Sequence, residues 1–199
     1  MLLLYLIMLK ESKHIIGIDE AGRGPLSGPV VAAAVLDSPK KIRGIKDSKL
    51  LSEKERERLY IEIINNYKWG IGIVSPKKID KVNILEATKE AMVKAVRNLE
   101  KKYKLKANHL IIDGNMKIDI DISQKSVIGA DRKIYCVSTA SIVAKVTRDH
   151  LMIKYDKLYP EYNFKKHKGY GTKEHFKLIR KYGSCEIHRK SFKPFDKDK

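Results

Sequence analysis

Four acidic residues stand where chemistry would need them. Asp19 and Glu20 close the run His14-Ile-Ile-Gly-Ile-Asp19, Asp113 closes His109-Leu-Ile-Ile-Asp113, and Asp131 closes Ser126-Val-Ile-Gly-Ala-Asp131. Each run is short and apolar and reads as a strand with the acid at its carboxyl end, the third as a weaker instance of the same design. In open α/β sheets, ligands gather outside the carboxyl ends of the strands. If these strands are neighbours, their carboxylates converge. Like charges about 4 Å apart repel by roughly 1 kcal/mol even in water, and more inside a protein. A divalent cation is the natural compensation, and hard oxygen donors select Mg²⁺ or Mn²⁺ over zinc. A single strand-end aspartate is more often a turn or cap residue; three such ends in one chain favour the metal reading.

Beside the first pair lies Gly22-Arg23-Gly24. Glycine lets backbone approach a ligand closely, and the Arg guanidinium is a planar fork for phosphate. Taken alone, the triplet also suits a plain turn with a solvated arginine. The charge balance bears on the choice. The 199 residues hold 42 Lys+Arg against 24 Asp+Glu, a formal charge of +18. A compact domain with that surplus attracts polyanions: nucleic acid first, an anionic membrane surface second. Residues 145–199 alone carry about 16 Lys/Arg against 7 acids, a backbone-binding face. An acidic metal site within a basic protein points to phosphodiester chemistry, in which paired metals about 3.5–4 Å apart activate water and steady the leaving oxygen.

The elements that must carry these residues can be read coarsely. Pro29–Leu36 reads as a strand antiparallel to the first, joined by the Gly/Pro-rich turn Ala21–Pro29. A helix is predicted from Ser52 to Asn65, with Ser52 as cap and Glu55 at the capping-box position. Tyr67–Val74 alternates like a strand, and Ser75-Pro76 opens a long helix whose apolar face includes Ala87, Ala91, Ala95 and Leu99. Val137–Tyr159 is predicted as a helix that starts on small residues and stops before Pro160. Mixed strands and helices give an α/β class with a mixed sheet.

The first nine residues, MLLLYLIML, are apolar but lack a basic flank or a cleavage site, and are too few to span a bilayer. We read 1–13 as a loose extension and 196–199 as a tail. Met8 is an alternative start to Met1. Cys136 and Cys185 do not form a zinc-site spacing, and two cysteines fit a free-thiol, cytoplasmic protein. His150, His167, His175 and His188 share no metal-ligand spacing.

The stretch Ile18-Asp-Glu-Ala-Gly-Arg-Gly-Pro-Leu-Ser-Gly-Pro-Val-Val31 closely resembles the amino-terminal motif of type 2 ribonucleases H, specifically the ribonuclease HII family. Collinear likeness continues through Asp47-Ser-Lys-Leu-Leu-Ser52, Ile112-Asp-Gly114, Gly129-Ala-Asp131, the block Ser138–Asp149, His167-Lys-Gly-Tyr-Gly-Thr172 and His188-Arg-Lys-Ser-Phe192. It covers about residues 14–195, taken as one catalytic domain with a helical segment from about 160. Arg23, where the related ribonuclease HIII typically has Lys, and the short leader favour HII.

The resemblance implies a ribonuclease H-like α/β fold: a mixed five-stranded sheet flanked by helices, with a small carboxyl-terminal helical part. It implies that Asp19, Glu20, Asp113 and Asp131 are catalytic and bind two Mg²⁺ or Mn²⁺ ions; Asp149 competes for the last place but is read as structural, inside a helix and paired with a neighbouring base. It assigns substrate recognition to Gly22, Arg23, Gly24, Lys49 and Tyr170; the second Lys of the family's Asp-Ser-Lys-Lys motif is Leu50 here. Lys145 and Arg148 are read as helix-surface or structural residues. The implied substrates are RNA–DNA hybrids and duplex DNA with embedded ribonucleotides, cut by a monomeric enzyme without a membrane partner. Recognition has a physical basis, because the 2′-OH separates RNA from DNA at one nucleotide. The rival readings are another ribonuclease H-like nuclease, such as a junction resolvase, and a non-catalytic basic RNA- or ribosome-binding protein. The first gives no reason for Gly22-Arg23-Gly24 together with Tyr170, and the second gives none for the acid-ended strands.

Overall fold

In the computed structural model, residues 14–45 and 51–195 are described; the leader 1–13, Lys49 and the tail 196–199 lie outside them. Five strands form one sheet: β1 (Ile15–Ala21), β2 (Val30–Leu36), β3 (Trp69–Val74), β4 (His109–Asp113) and β5 (Ser123–Val127), in the order β3-β2-β1-β4-β5. The β-branched and apolar runs seen in the sequence form β1, β2 and β4, which are buried almost throughout. β1 pairs antiparallel with β2 and parallel with β4, and β4 pairs parallel with β5. The sheet is therefore mixed, as expected.

The described residues hold five α-helices, α1 (Glu53–Asn66), α2 (Pro76–Tyr103), α3 (Tyr135–Leu158), α4 (Phe164–His167) and α5 (Lys173–Tyr182), of which the first three flank the sheet. One sheet face packs Ile16, Ile18, Val30, Ala32 and Ala34 against Ala87, Ala91, Met92, Ala95 and Leu99 of α2. The other packs Ala33 and Val35 against α1 and α3, through Leu59, Ile63, Ala140 and Val143. Among the described residues, no helix is long and apolar enough to cross a membrane.

Local signals set the helix ends. Ser52 Oγ accepts the Glu55 amide at 3.2 Å while Glu55 Oε2 accepts the Ser52 amide at 3.0 Å, the reciprocal capping box that the sequence predicts. The long helix α2 contains a break that hydrophobic spacing did not reveal. Asn83 sits at φ 68°, and its Oδ1 accepts the amides of Leu85 and Glu86, restarting the helix. Gly17 lets the start of α3 lie directly on β1. A β-carbon there would fall 2.4 Å from the Cys136 carbonyl carbon and 2.5 Å from the Val137 nitrogen. That close approach seats α3 beside the end of β1, where Asp19 emerges. Beyond α3 the chain turns through a 3₁₀ segment (Pro160–Tyr162), α4 and α5, which close around Met152, Tyr162, Phe164 and Ile187.

One sequence expectation needs correction. Ser126–Asp131 is not an apolar strand ending in acid. β5 stops at Val127, its residues are exposed or half-buried, and Asp131 lies on a 3₁₀ turn, Ala130–Arg132. The cause is local: Gly129 takes φ 68° and ends the extended backbone. The amides of Ala130 and Asp131 then turn to Asp113 Oδ1, at 2.7 and 3.4 Å, rather than to a neighbouring strand.

Candidate active site

Register explains why the first two aspartates meet. Ile18 of β1 pairs with Ile112 of β4 in a parallel ladder. Asp19 and Asp113 each follow directly, so they stand at the same level on adjacent strands, Asp19 within β1 and Asp113 at the last position of β4. Asp113 then organises the third acid, because its Oδ1 caps the turn that carries Asp131. Ser138 Oγ of α3 donates to the Asp131 carbonyl at 2.6 Å and fixes the turn to the helix. Carboxylate oxygens of Asp19, Asp113 and Asp131 all lie within 4.8 Å of one another. Asp19 and Asp131 are buried and Asp113 is half-buried.

Glu20 stands outside that trio. Its Oε1 lies 3.4 Å from Arg23 Nη1, across the Gly22–Gly24 turn. It still lines the same cleft of about 290 Å³, together with Asp19, Asp113, Gly22, Arg23, Gly24 and Tyr170. Asp149 does not join the cluster. It is buried in α3 and pairs with Lys145 at 2.8 Å, which leaves it structural. Lys49 lies outside the described residues.

The electrostatics are those of a buried acidic centre that Arg23, 3.4 Å from Glu20, and Arg132, 3.9 Å from Asp131, offset only in part. Burial, then Glu20, pushes the Asp19 carboxyl well above the usual carboxylate range, with Asp113 adding to the effect. A hydrogen bond from Ser141 and the Glu20 amide, 2.7 Å from Oδ1, pull the other way without prevailing. Burial also raises Glu20, against the opposing pull of Arg23. Such a centre is costly unless a cation completes it, and its donors are the hard oxygens that Mg²⁺ and Mn²⁺ prefer. The residues present thus fit a divalent metal.

Tyr170 follows α4. The residue is 45% exposed, and a β-carbon on Gly24 would lie 4.0 Å from its ring. The ring and the Gly-Arg-Gly turn therefore face each other across the mouth of the cleft. Gly22 has φ 95°, and a β-carbon there would lie 2.0 Å from Arg148 Nε. That position admits only glycine. Arg148 itself is buried and donates to the carbonyls of Pro29, Ser27 and Lys168, the structural role expected for it. Ser141, Lys145 and Arg56 also carry polar groups into the cleft and escaped the sequence reading as site residues. Ser141 and Lys145 are four apart on α3, a helical spacing that would have placed both on one face once Asp149 was paired. Larger surface grooves exist, such as one of about 550 Å³ lined by Glu86, Lys89 and Asp119. There the charges neutralise one another, Lys89 to Glu86 at 2.7 Å, and size alone does not mark a site.

Known proteins resemble this chain over most of its length. The family model described as Ribonuclease HII matches residues 16–195. A Ribonuclease HII from Francisella tularensis subsp. novicida (strain U112) is 51% identical over 182 residues, 90% of this chain and 96% of the relative. Among solved structures, ribonuclease H2 from Pyrococcus horikoshii OT3 has a TM-score of 0.74 at 29% identity, covering 92% of this chain and 96% of that one. The RNase HII of Archaeoglobus fulgidus, solved as a PCNA:RNase HII complex, has a TM-score of 0.75 at 25% identity, covering 90% and 95%.

Proposed function

The chain belongs to the ribonuclease HII family, and from that premise we propose that it is an endoribonuclease for RNA–DNA duplexes. It hydrolyses the RNA strand of hybrids and incises on the 5′ side of single ribonucleotides embedded in duplex DNA, leaving 5′-phosphate and 3′-hydroxyl ends. The observation that carries this reading is that one cleft unites the carboxylate cluster with the Gly22–Gly24 turn and Tyr170. A metal nuclease needs the first, and discrimination of a ribonucleotide needs the second.

Asp19, Asp113 and Asp131 would hold a divalent cation, Mg²⁺ or Mn²⁺, with Glu20 completing the set for a second ion. Bound there, the metal supplies activation of water and neutralisation of charge on the leaving oxygen. The remaining work falls to the chain. Ser141 and the Glu20 amide hold the Asp19 carboxylate in one orientation. Backbone groups of Gly22–Gly24 reach the 2′-OH, which both donates and accepts hydrogen bonds, without side-chain bulk. Arg23, partly exposed, offers its fork to the adjacent phosphate. The Tyr170 ring packs on the next sugar and admits deoxyribose more readily than ribose, so a ribonucleotide-to-DNA junction is read. Lys49 grips a phosphate, and the basic segment beyond residue 145 holds the duplex through salt-sensitive contacts. The enzyme acts as a cytoplasmic monomer in the first step of ribonucleotide excision repair.

The test is cleavage of two duplexes of identical sequence, one all-DNA and one carrying a single ribonucleotide, in Mg²⁺, in Mn²⁺ and in EDTA. Metal-dependent incision only at the ribonucleotide is expected. Cutting of both duplexes would favour a junction-resolving nuclease. Binding without cutting under any condition would favour a non-catalytic nucleic-acid-binding protein.

A further inference from the structure

Beneath the cleft lie buried polar side chains that the reaction above does not use, among them Arg189, His167, His175 and His188. Burying such groups costs free energy unless every donor and acceptor is matched, and apolar side chains would fill the same space without that cost. Their partners are therefore informative, and they lie on the two loops that face each other at the cleft.

Arg189 is fully buried. It donates from Nη2 to the Gly22 carbonyl at 2.6 Å, from Nη1 to the Arg23 carbonyl at 2.9 Å and from Nε to the Gly28 carbonyl at 2.9 Å. Its own amide donates to the Leu26 carbonyl at 2.8 Å, and the Leu26 amide to the Gly169 carbonyl at 2.9 Å. One residue thus holds the Gly-Arg-Gly turn from below and is linked to the residue preceding Tyr170.

His188 serves the other loop. The Cys185 amide donates to His188 Nδ1 at 2.9 Å, so that nitrogen is an acceptor and the ring proton is on Nε2. His188 Nε2 lies 3.1 Å from His175 Nε2, which must then accept. His175 carries its proton on Nδ1, 2.9 Å from the Tyr170 carbonyl, and donates to it. A third ring braces the second: His167 stacks on His175 with centroids 4.3 Å apart. The Gly169 amide donates to His167 Nδ1 at 3.2 Å, and His167 Nε2 donates to the Tyr162 carbonyl at 2.8 Å. Backbone donors at one end therefore dictate a single neutral tautomer for every ring. Burial supports the neutral forms, pushing His175 and His188 down to about 4.

We propose that Arg189, His188 and His175 are positioning residues that fix the Tyr170 loop against the Gly22–Gly24 turn, and through that spacing set the discrimination of ribonucleotide–DNA junctions. The proposal rests on the function proposed above. No substrate need touch any of the three. They act through the carbonyls of Gly22, Arg23 and Gly28 on one side and that of Tyr170 on the other.

The test is a double-variant cycle on two substrates, a duplex with one ribonucleotide and an RNA–DNA hybrid of the same sequence. His175→Phe keeps a ring and removes the donor to Tyr170. It is expected to lower kcat/KM at the single ribonucleotide about tenfold more than on the hybrid, and to change that ratio no further in a Tyr170→Ala background. His175→Asn, whose amide offers a donor near the Nδ1 position, restores the ratio. Equal losses on both substrates, or independent effects in the double variant, overturn the proposal and leave a packing role. A wild-type protein that cuts neither substrate overturns the underlying function instead. If His175→Phe fails to fold, long-range ¹⁵N–¹H spectra of the wild-type protein decide: the Nε2–H tautomer of His188 with the Nδ1–H tautomer of His175 supports the relay, and any other pair refutes it.

Discussion

Asp19→Asn turns the electrostatics of the acidic centre into a stability measurement. The substitution removes one negative charge and keeps an oxygen able to accept the Glu20 amide, now 2.7 Å from Oδ1. The oxygens of Asp19, Asp113 and Asp131 lie within 4.8 Å of one another. At that separation two unit charges repel by about 1 kcal/mol in water and by about 3–4 kcal/mol at an effective dielectric of 20. Burial and the Glu20 charge hold the Asp19 carboxyl well above its usual range, so proton uptake relieves part of that repulsion. The lower end of the range therefore applies. Without metal, Asp19→Asn is expected to stabilise the protein by about 1–2 kcal/mol, a rise in Tm of roughly 2–8 °C for a domain of this size. The gain shrinks as pH falls and the wild-type carboxyl takes up its proton. With Mg²⁺ the order changes. Wild type is stabilised by an ion that binds only the folded state, and the variant, lacking a ligand, is not. Thermal unfolding of both proteins in EDTA and in Mg²⁺ gives all four values. A variant less stable than wild type in EDTA, or an equal Mg²⁺ gain in both, would refute the reasoning.

Three further outcomes follow from the same geometry. His175 and His188 titrate at about 4 in the folded chain against an ordinary 6.5, so the unfolded chain takes up protons that the folded one refuses. Stability is expected to fall as pH drops from about 6.5 to about 4, by about 2–3 kcal/mol per histidine; urea midpoints that stay flat through this window would contradict the neutral relay. Gly22→Ala forces a β-carbon to 2.0 Å from Arg148 Nε at φ 95° and should cost at least about 2 kcal/mol together with cleavage. Gly114→Ala, at φ 93° with nothing within 4 Å, should cost only about 1 kcal/mol; equal urea midpoints for the two variants would show that the clash is not real. Binding of an uncleaved hybrid in EDTA should weaken with salt at a log–log slope of magnitude about 3 or more; a shallow slope would remove the basic face from substrate binding.

Much of this architecture was legible in the sequence because burial on both faces leaves unbroken apolar runs. β1, β2 and β4 are such runs, and the acids near the carboxyl ends of β1 and β4 were readable as a pair before their register was known. Asp131 was found for an incomplete reason. Its run resembled a strand, but Gly129 ends the extended backbone and the turn is held by Asp113, a contact that no local pattern encodes. The kink at Asn83 was hidden because apolar spacing continues across it. The histidines show no metal-ligand spacing in the sequence, which pointed to a structural or phosphate-contact role without naming their partners. Their partnership spans the chain from His167 to His188 and depends on the fold of the last helices, which sequence periodicity did not resolve. Arg189 was legible only as part of a family motif, and its three carbonyl partners lie more than 160 residues away in the chain.

The most direct measurement is anomalous diffraction from crystals of this protein grown with Mn²⁺. The account requires a manganese peak within coordinating distance of carboxylate oxygens from Asp19, Asp113 and Asp131 together, lost in Asp113→Asn. A peak placed elsewhere, or none at this cluster at saturating metal, would contradict it.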